Sequence, residues 1–178
     1  MEETMKRLLT ATLGLAIFVA FVLNLAAQGN PRGTSKLTLN GKAISVEYGR
    51  PSLKGRTVQQ LLESLKPGSV WRLGADKSTT FTTATDLLFG DVKIPKGEYS
   101  LFARRDADNS WKLVFNKQHG QWGTEHDPAQ DLAAVPLKQT KAPKSEEMVT
   151  INLAKEGSGG VILIHWGDMN LTANFKAA

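Results

Sequence analysis

No cysteine occurs anywhere in the 178 residues, and that absence closes several routes together. Disulfides, thiolate metal sites, lipid attachment through a cysteine and a cysteine nucleophile are all excluded. Also missing are a Gly-x-Ser-x-Gly nucleophile elbow and a glycine-rich loop placed ahead of a helix to cradle phosphate. Gly157-Ser158-Gly159-Gly160 precedes a strand pattern instead and reads as a hairpin turn. No motif calls for a cofactor, and there is no internal repeat or low-complexity tract. Charge of one sign is only mildly in excess, at +5. The lysines are scattered and no basic helix is visible, so no nucleic-acid footprint is present. A mildly basic exterior suits an anionic partner, such as an acidic envelope glycan or a small anion, and it is also what ordinary solubilising charge looks like.

What is present begins with Lys6-Arg7, an uncharged run from Leu8 to Leu23, small Ala26-Ala27 and polar Gln28-Gly29-Asn30-Pro31. A positive start, an apolar centre and a small-residue end follow the order of an export signal. Cleavage is expected after Ala27, making 1–27 the signal peptide. The apolar run is close to the shortest length that spans a bilayer, so an uncleaved anchor is the competing reading. It has no polar face, which argues against a core helix. Either reading carries the rest of the chain out of the cytoplasm, to the periplasm or the exterior, with membrane contact only through this segment. Two acids and two bases fall within 1–27, so the mature charge stays at +5.

Residues 28–35 read as a flexible lead-in, and 36–176 as one β-rich domain of common size. Residues 37–39 and 43–48 alternate apolar and polar around Asn40-Gly41, the strongest short-range hairpin signal. A short helix is expected at about 57–65: Val58, Leu61, Leu62 and Leu65 share one face, Thr57 and Gln60 form a capping box, and Pro67-Gly68 stop it. Strand patterns then follow at 70–73, 79–83, 87–89, 91–94, 98–104 and 111–116. Residues 118–145 are the least regular, with a possible strand at 132–137 that Pro136 would confine to an edge. Strands are again expected at 149–153, at 161–166 (apolar on both faces, hence central) and at 171–175, the last after a turn at Gly167-Asp168. The fold class expected is mainly β, an antiparallel β-sandwich or distorted barrel with one short helix.

Several segments resemble a known family when taken in order. They are Val46-Glu47-Tyr48-Gly49-Arg50-Pro51-Ser52-Leu53-Lys54-Gly55-Arg56 and Val70-Trp71-Arg72-Leu73-Gly74-Ala75-Asp76-Lys77-Ser78-Thr79-Thr80. Then come Ile94-Pro95-Lys96-Gly97-Glu98-Tyr99-Ser100-Leu101-Phe102, Trp111-Lys112-Leu113-Val114-Phe115-Asn116-Lys117, Gln121-Trp122-Gly123 and Trp166-Gly167-Asp168. Together they resemble the bacterial domain of unknown function 2911 over residues 36–176. The resemblance implies an exported protein of a Gram-negative bacterium and brings no activity, substrate or catalytic residue with it. Where that family's pattern often has Asn, this chain has Asp76, an unpaired acid among bases.

Candidate chemistry gathers in two loops. Arg50, Lys54 and Arg56 lie around Pro51 and Gly55, and Arg72 follows the helix. Guanidinium groups present planar forks that fit carboxylate and phosphate, and the helix start at Thr57 would add to an anion site. The competing role is structural, with these arginines bonding loop carbonyls or the acids Glu47, Glu63 and Asp76. In the second loop, Trp122 between glycines is the candidate for stacking on a sugar. His119, Glu125, His126 and Asp127 form a weaker alternative metal set, without a recognised ligand spacing. His165 reads as a core histidine, since a general base would need a nucleophile such as Ser100 or Thr172 within reach. The expectation is an exported, non-catalytic binding or interaction domain for an anionic or glycan ligand. An extracytoplasmic hydrolase, with or without metal assistance, and a structural envelope protein are the alternatives.

Overall fold

The computed structural model describes residues 29–178; the leader expected over 1–27 lies outside them. Among the described residues no helix is long and apolar enough to cross a membrane. The first hairpin forms as its turn chemistry dictates. Strands β1 (Arg32–Leu39) and β2 (Lys42–Gly49) pair with Leu39 opposite Lys42, so Asn40 and Gly41 alone make the turn. Their φ values are 50° and 73°, the positive values that a two-residue type I′ hairpin requires. The lead-in ends sooner than expected, because strand begins at Arg32. This stretch lacks apolar alternation because it is an edge strand with other demands on its positions. A Cβ on Gly33 would lie 2.7 Å from the Tyr48 ring, and Ser35 Oγ accepts the Leu153 N–H at 2.9 Å.

The remaining elements are β3 (Val70–Trp71), β4 (Thr79–Thr83), β5 (Leu87–Phe89), β6 (Val92–Ile94), β7 (Gly97–Arg105), β8 (Trp111–Asn116), β9 (Asp131–Glu156) and β10 (Gly159–Ala177). The fold is mainly β: one antiparallel 10-stranded sheet in the order β1-β2-β4-β7-β8-β9-β10-β5-β6, with β3 beside β7. It is not closed into a barrel. Instead it curls over a shared core, as the aromatics record. Phe115 of β8 meets Phe81 of β4 at 5.6 Å and Phe89 of β5 at 5.2 Å, and Phe89 meets Phe175 of β10 at 5.1 Å.

Two expectations about chain reversal change. The segment after 130 is regular strand, and it runs unbroken into the expected strand at 149–153. Pro136 stands opposite Lys112 of β8, while β10 joins β9 only from Lys138. The proline therefore has a strand on one flank only, as its missing N–H demands. At Gly167-Asp168 the chain does not turn. Gly167 takes φ 57° and the register with β9 shifts on both sides of it, so the two expected strands join through an irregular bulge.

Helix α1 (Val58–Leu62) carries the expected capping box: Thr57 Oγ1 accepts the Gln60 N–H at 3.2 Å and Gln60 Oε1 accepts the Thr57 N–H at 2.8 Å. It stops at Leu62, short of 65. One turn and a half cannot stand alone, and Val58 and Leu62 are buried against the sheet. Near its end, Trp71 stacks on Trp166 (5.5 Å, 15°) and meets Trp111 edge-on at 6.4 Å.

The β1–β2 side of the curl is fastened to the second half of β9 without a full ladder. Pro51 O accepts the Val149 N–H at 3.1 Å, and the Leu53 N–H reaches Glu147 O at 2.9 Å. Behind this seam, residues 73–76 cross close to the end of β2, with Leu73 and Asp76 at φ 53° and 62°. A Cβ on Gly49 would overlap the Ala75 carbonyl oxygen, and one on Gly74 would lie 2.9 Å from Thr79 Oγ1.

Gly49→Ala is therefore expected to cost about 3 kcal/mol, the upper end of overpacking penalties, read as a lower urea midpoint. A second expectation concerns acid. Lys112 and Arg104 hold Asp106 at 2.9 Å each, and these hydrogen bonds keep its carboxyl below the ordinary 3.8. Its native value is lower than its unfolded one. The contribution is thus present above pH 3.8 and fades as pH falls through the depressed value. Asp106→Asn should flatten the stability profile in that acid range and leave its slope near neutrality unchanged.

Candidate functional site

A concavity of mixed polar and apolar lining lies between the C-terminal end of α1, strand β3, β7 and the loop 118–127. Its volume is about 370 Å³, and its walls include Leu61, Leu65, Val70, Trp71, Arg72, Phe102, Thr124 and His126. The strand period places Arg72 there: Trp71 is turned into the core, so its neighbour points the other way. The stem of Arg72 passes Gly123, where a Cβ would stand 3.0 Å from Arg72 Cδ and 3.0 Å from Asp76 O. Arg72 is half-buried. Among the described residues no carboxylate stands within salt-bridge distance of it and no acceptor takes its guanidinium hydrogens.

The opposite wall is held by a polar network. His126 Nε2 lies 2.9 Å from Asp131 Oδ1; an ionised carboxylate only accepts, so Nε2 carries the hydrogen. The same oxygen accepts Asn116 Nδ2 at 2.7 Å, and that amide also donates to Asp127 O at 2.8 Å. The imidazole leans over Phe102 with ring centroids 4.6 Å apart. The loop itself is tied down: the Ser78 N–H donates to Gln121 O at 2.9 Å, the Gly123 N–H to Asp76 O at 2.8 Å, and Lys77 and Trp122 form a β-bridge.

The basic loop and Arg72 do not converge. Arg50 belongs to the seam, with Nε on Val149 O at 3.1 Å and Nη2 on Thr150 Oγ1 at 3.4 Å. Lys54 is an exposed turn residue at φ 52° whose N–H is held by Glu147 Oε1 at 2.8 Å. Arg56 donates to Leu53 O at 2.9 Å and lines a separate, smaller cleft with Thr57 and Asp168. There Gln59 donates to Asp168 at 3.1 Å, which holds that carboxyl below its ordinary range. Arg72 thus faces the C-terminal end of α1 and not the helix start at Thr57, where the capping box takes the Thr57 and Gln60 N–H groups. Trp122 is 49 % exposed and stands beside the concavity without lining it.

The weaker metal set disperses. His119 Nδ1 is 3.4 Å from Glu98, Asp127 accepts the Ala129 N–H at 3.0 Å, and Glu125 is exposed. Among the described residues no three His, Cys, Asp or Glu side chains converge as metal ligands. His165 is on the less buried face of β10, not in the core, with Nε2 at 3.1 Å from both Lys144 O and Gly167 O. Ser100 is fully buried on Gln121, and Thr172 donates to Lys138 O, so neither serves His165 as a nucleophile. Asp76 is not unpaired: its carboxylate accepts the Asn30 N–H at 2.8 Å. Its left-handed backbone suits Asn or Asp above other residues.

Sequence reasoning missed Phe102, Asp131, Gly123 and Thr124. Phe102 did leave a signal, since it sits out of phase with Tyr99, Leu101 and Ala103 and so places a large ring on the other face of β7.

The geometry separates two arginines by their stability effects. Arg50→Ala should lower stability by about 1–2 kcal/mol, because it leaves Val149 O without its donor. Arg72→Ala should change it by less than about 0.5 kcal/mol. Parallel urea titrations distinguish them.

No curated protein and no solved structure matches the chain. The family model described as a protein of unknown function, DUF2911, matches residues 30–175. That range takes in the whole sheet except the last two residues of β10, and the chain belongs to the DUF2911 family.

Proposed function

We propose that this domain is an exported, non-catalytic binding module whose ligand is anionic and enters the concavity beside Arg72. The observation that carries the reading is half-buried Arg72, whose guanidinium has no acid partner among the described residues. Guanidinium in a partly dry, partly apolar setting binds carboxylate or phosphate more strongly than it does in open water. His126, locked by Asp131, gives the facing wall a fixed shape. A preshaped wall lowers the ordering entropy lost when a ligand binds. Export follows from the order of charge, apolar run and small residues at the N-terminus, placing the module in the periplasm or outside the cell. An anionic envelope component is the natural class of partner there. Arg50, Lys54 and Arg56 take no part in this reading, because they serve the seam, a turn and another cleft.

The test is calorimetric titration of the mature chain with acetate, inorganic phosphate, galacturonate and short alkyl carboxylates. At least one anion should bind, Arg72→Glu should weaken it at least tenfold, and Arg56→Glu should leave it unchanged. If Arg72→Glu binds every anion as the wild type does, this site is rejected. For export, the envelope fraction should contain a chain whose N-terminus is Gln28; full-length chain in the cytosol would reject that part.

A further inference from the structure

We infer that the ligand of the Arg72 concavity is an amphiphile: one anionic group joined to a slender apolar body, and not a sugar. The inference rests on the anion-binding reading above and concerns the remainder of the ligand. Sugar sites need an accessible aromatic face and many polar partners for hydroxyls around the ring. Neither is present here. Trp71 is only 9 % exposed, with Trp166 stacked on it and Trp111 against its edge. Phe102 is 1 % exposed and already carries the His126 ring. Trp122, the exposed aromatic, is outside the lining. His126 Nε2 is committed to Asp131, so beyond Arg72 the free side-chain polar groups of the lining are the two hydroxyls of Ser64 and Thr124.

What the concavity does offer is aliphatic. Leu61, Leu65 and Val70 line it, and each is only partly buried, leaving apolar surface uncovered next to the cation. Helix α1 supplies Leu61, and the turn after it supplies Leu65. Neither residue is fully used by the core, although both share the apolar face with buried Val58 and Leu62. The volume of about 370 Å³ is at the small end of ligand sites, roughly 300–1,000 Å³, and suits a fragment-sized molecule. An alkyl carboxylate satisfies both halves: its oxygens meet the guanidinium and its chain covers the leucines.

The experiment is a chain-length series of hexanoate, octanoate and decanoate, each below its micellar concentration, against the mature chain. Octanol and galacturonate serve as the charge-free and apolar-free comparisons. Affinity should rise roughly three- to fourfold per added methylene until the concavity is filled. Arg72→Glu should weaken octanoate at least tenfold, and Leu65→Gln should flatten the length dependence while sparing acetate. Arg72-dependent binding of galacturonate or phosphate, with alkyl carboxylates no better than acetate, overturns the amphiphile and leaves the anion reading standing. Failure of every anion, or binding indifferent to Arg72→Glu, removes both.

Discussion

The architecture depends on how an open sheet holds its first hairpin against its longest strand, β9. An antiparallel sheet that curls this far has unpaired edges, and exposed edges invite pairing with other chains. Here the first hairpin docks on the second half of β9 through a few unlike contacts. Pro51 O and the Leu53 N–H supply two backbone bonds, Arg50 reaches Val149 O, and Ser35 Oγ takes the Leu153 N–H. Ser35 also donates to Asn152 Oδ1 at 3.3 Å. Side chains stand where a ladder would otherwise run. The curl stops short of a barrel.

Closing the seam has a consequence at the other face of β2. The end of that strand and residues 73–76 approach so closely that only glycine fits at positions 49 and 74. Leu73 and Asp76 accept left-handed backbone to make the crossing, a strain that surrounding contacts must hold in place. Those contacts come from the start of the described chain: Asn30 on Asp76, and Arg32 on Lys77 O at 3.2 Å. The same segment then supplies Asp76 O and the Ser78 N–H to the loop 118–127. The seam, the crossing, the loop and the concavity are therefore links in one mechanical chain.

Local chemistry was legible wherever a residue answers to its immediate neighbours. Asn40-Gly41 specified its turn, Thr57 and Gln60 their cap, and the alternation at 79–83 and 111–116 its strands. Strand β1 was hidden at its start because Gly33 and Ser35 serve the Tyr48 ring and a β9 amide, partners remote in sequence. The bulge at Gly167 looked like a turn because positive φ and a glycine serve either purpose. The arginines were legible as a class and not as individuals. Arg50 and Arg56 found carbonyls, as the structural reading anticipated, whereas Arg72 did not. Nothing local distinguishes them; only the fold decides which of them meets an acceptor.

Why Arg72 is left over follows from the acids. Glu47 answers Arg32 at 2.8 Å. Asp76 is turned to Asn30, Glu147 to the Lys54 N–H and Asp106 to Arg104 and Lys112. Asp131, on the facing wall, is shared by His126 and Asn116. Each of these pairings fastens a turn, a seam or a loop, so moving any acid to Arg72 would loosen the frame around the concavity. Arg72 is half-buried as a residue, its stem lying on apolar surface while its head reaches toward solvent. The fold gains no ion pair from that arrangement. A ligand that brings its own anion supplies what the frame withholds, and a cation with partly buried leucines beside it favours an anion that carries an apolar tail.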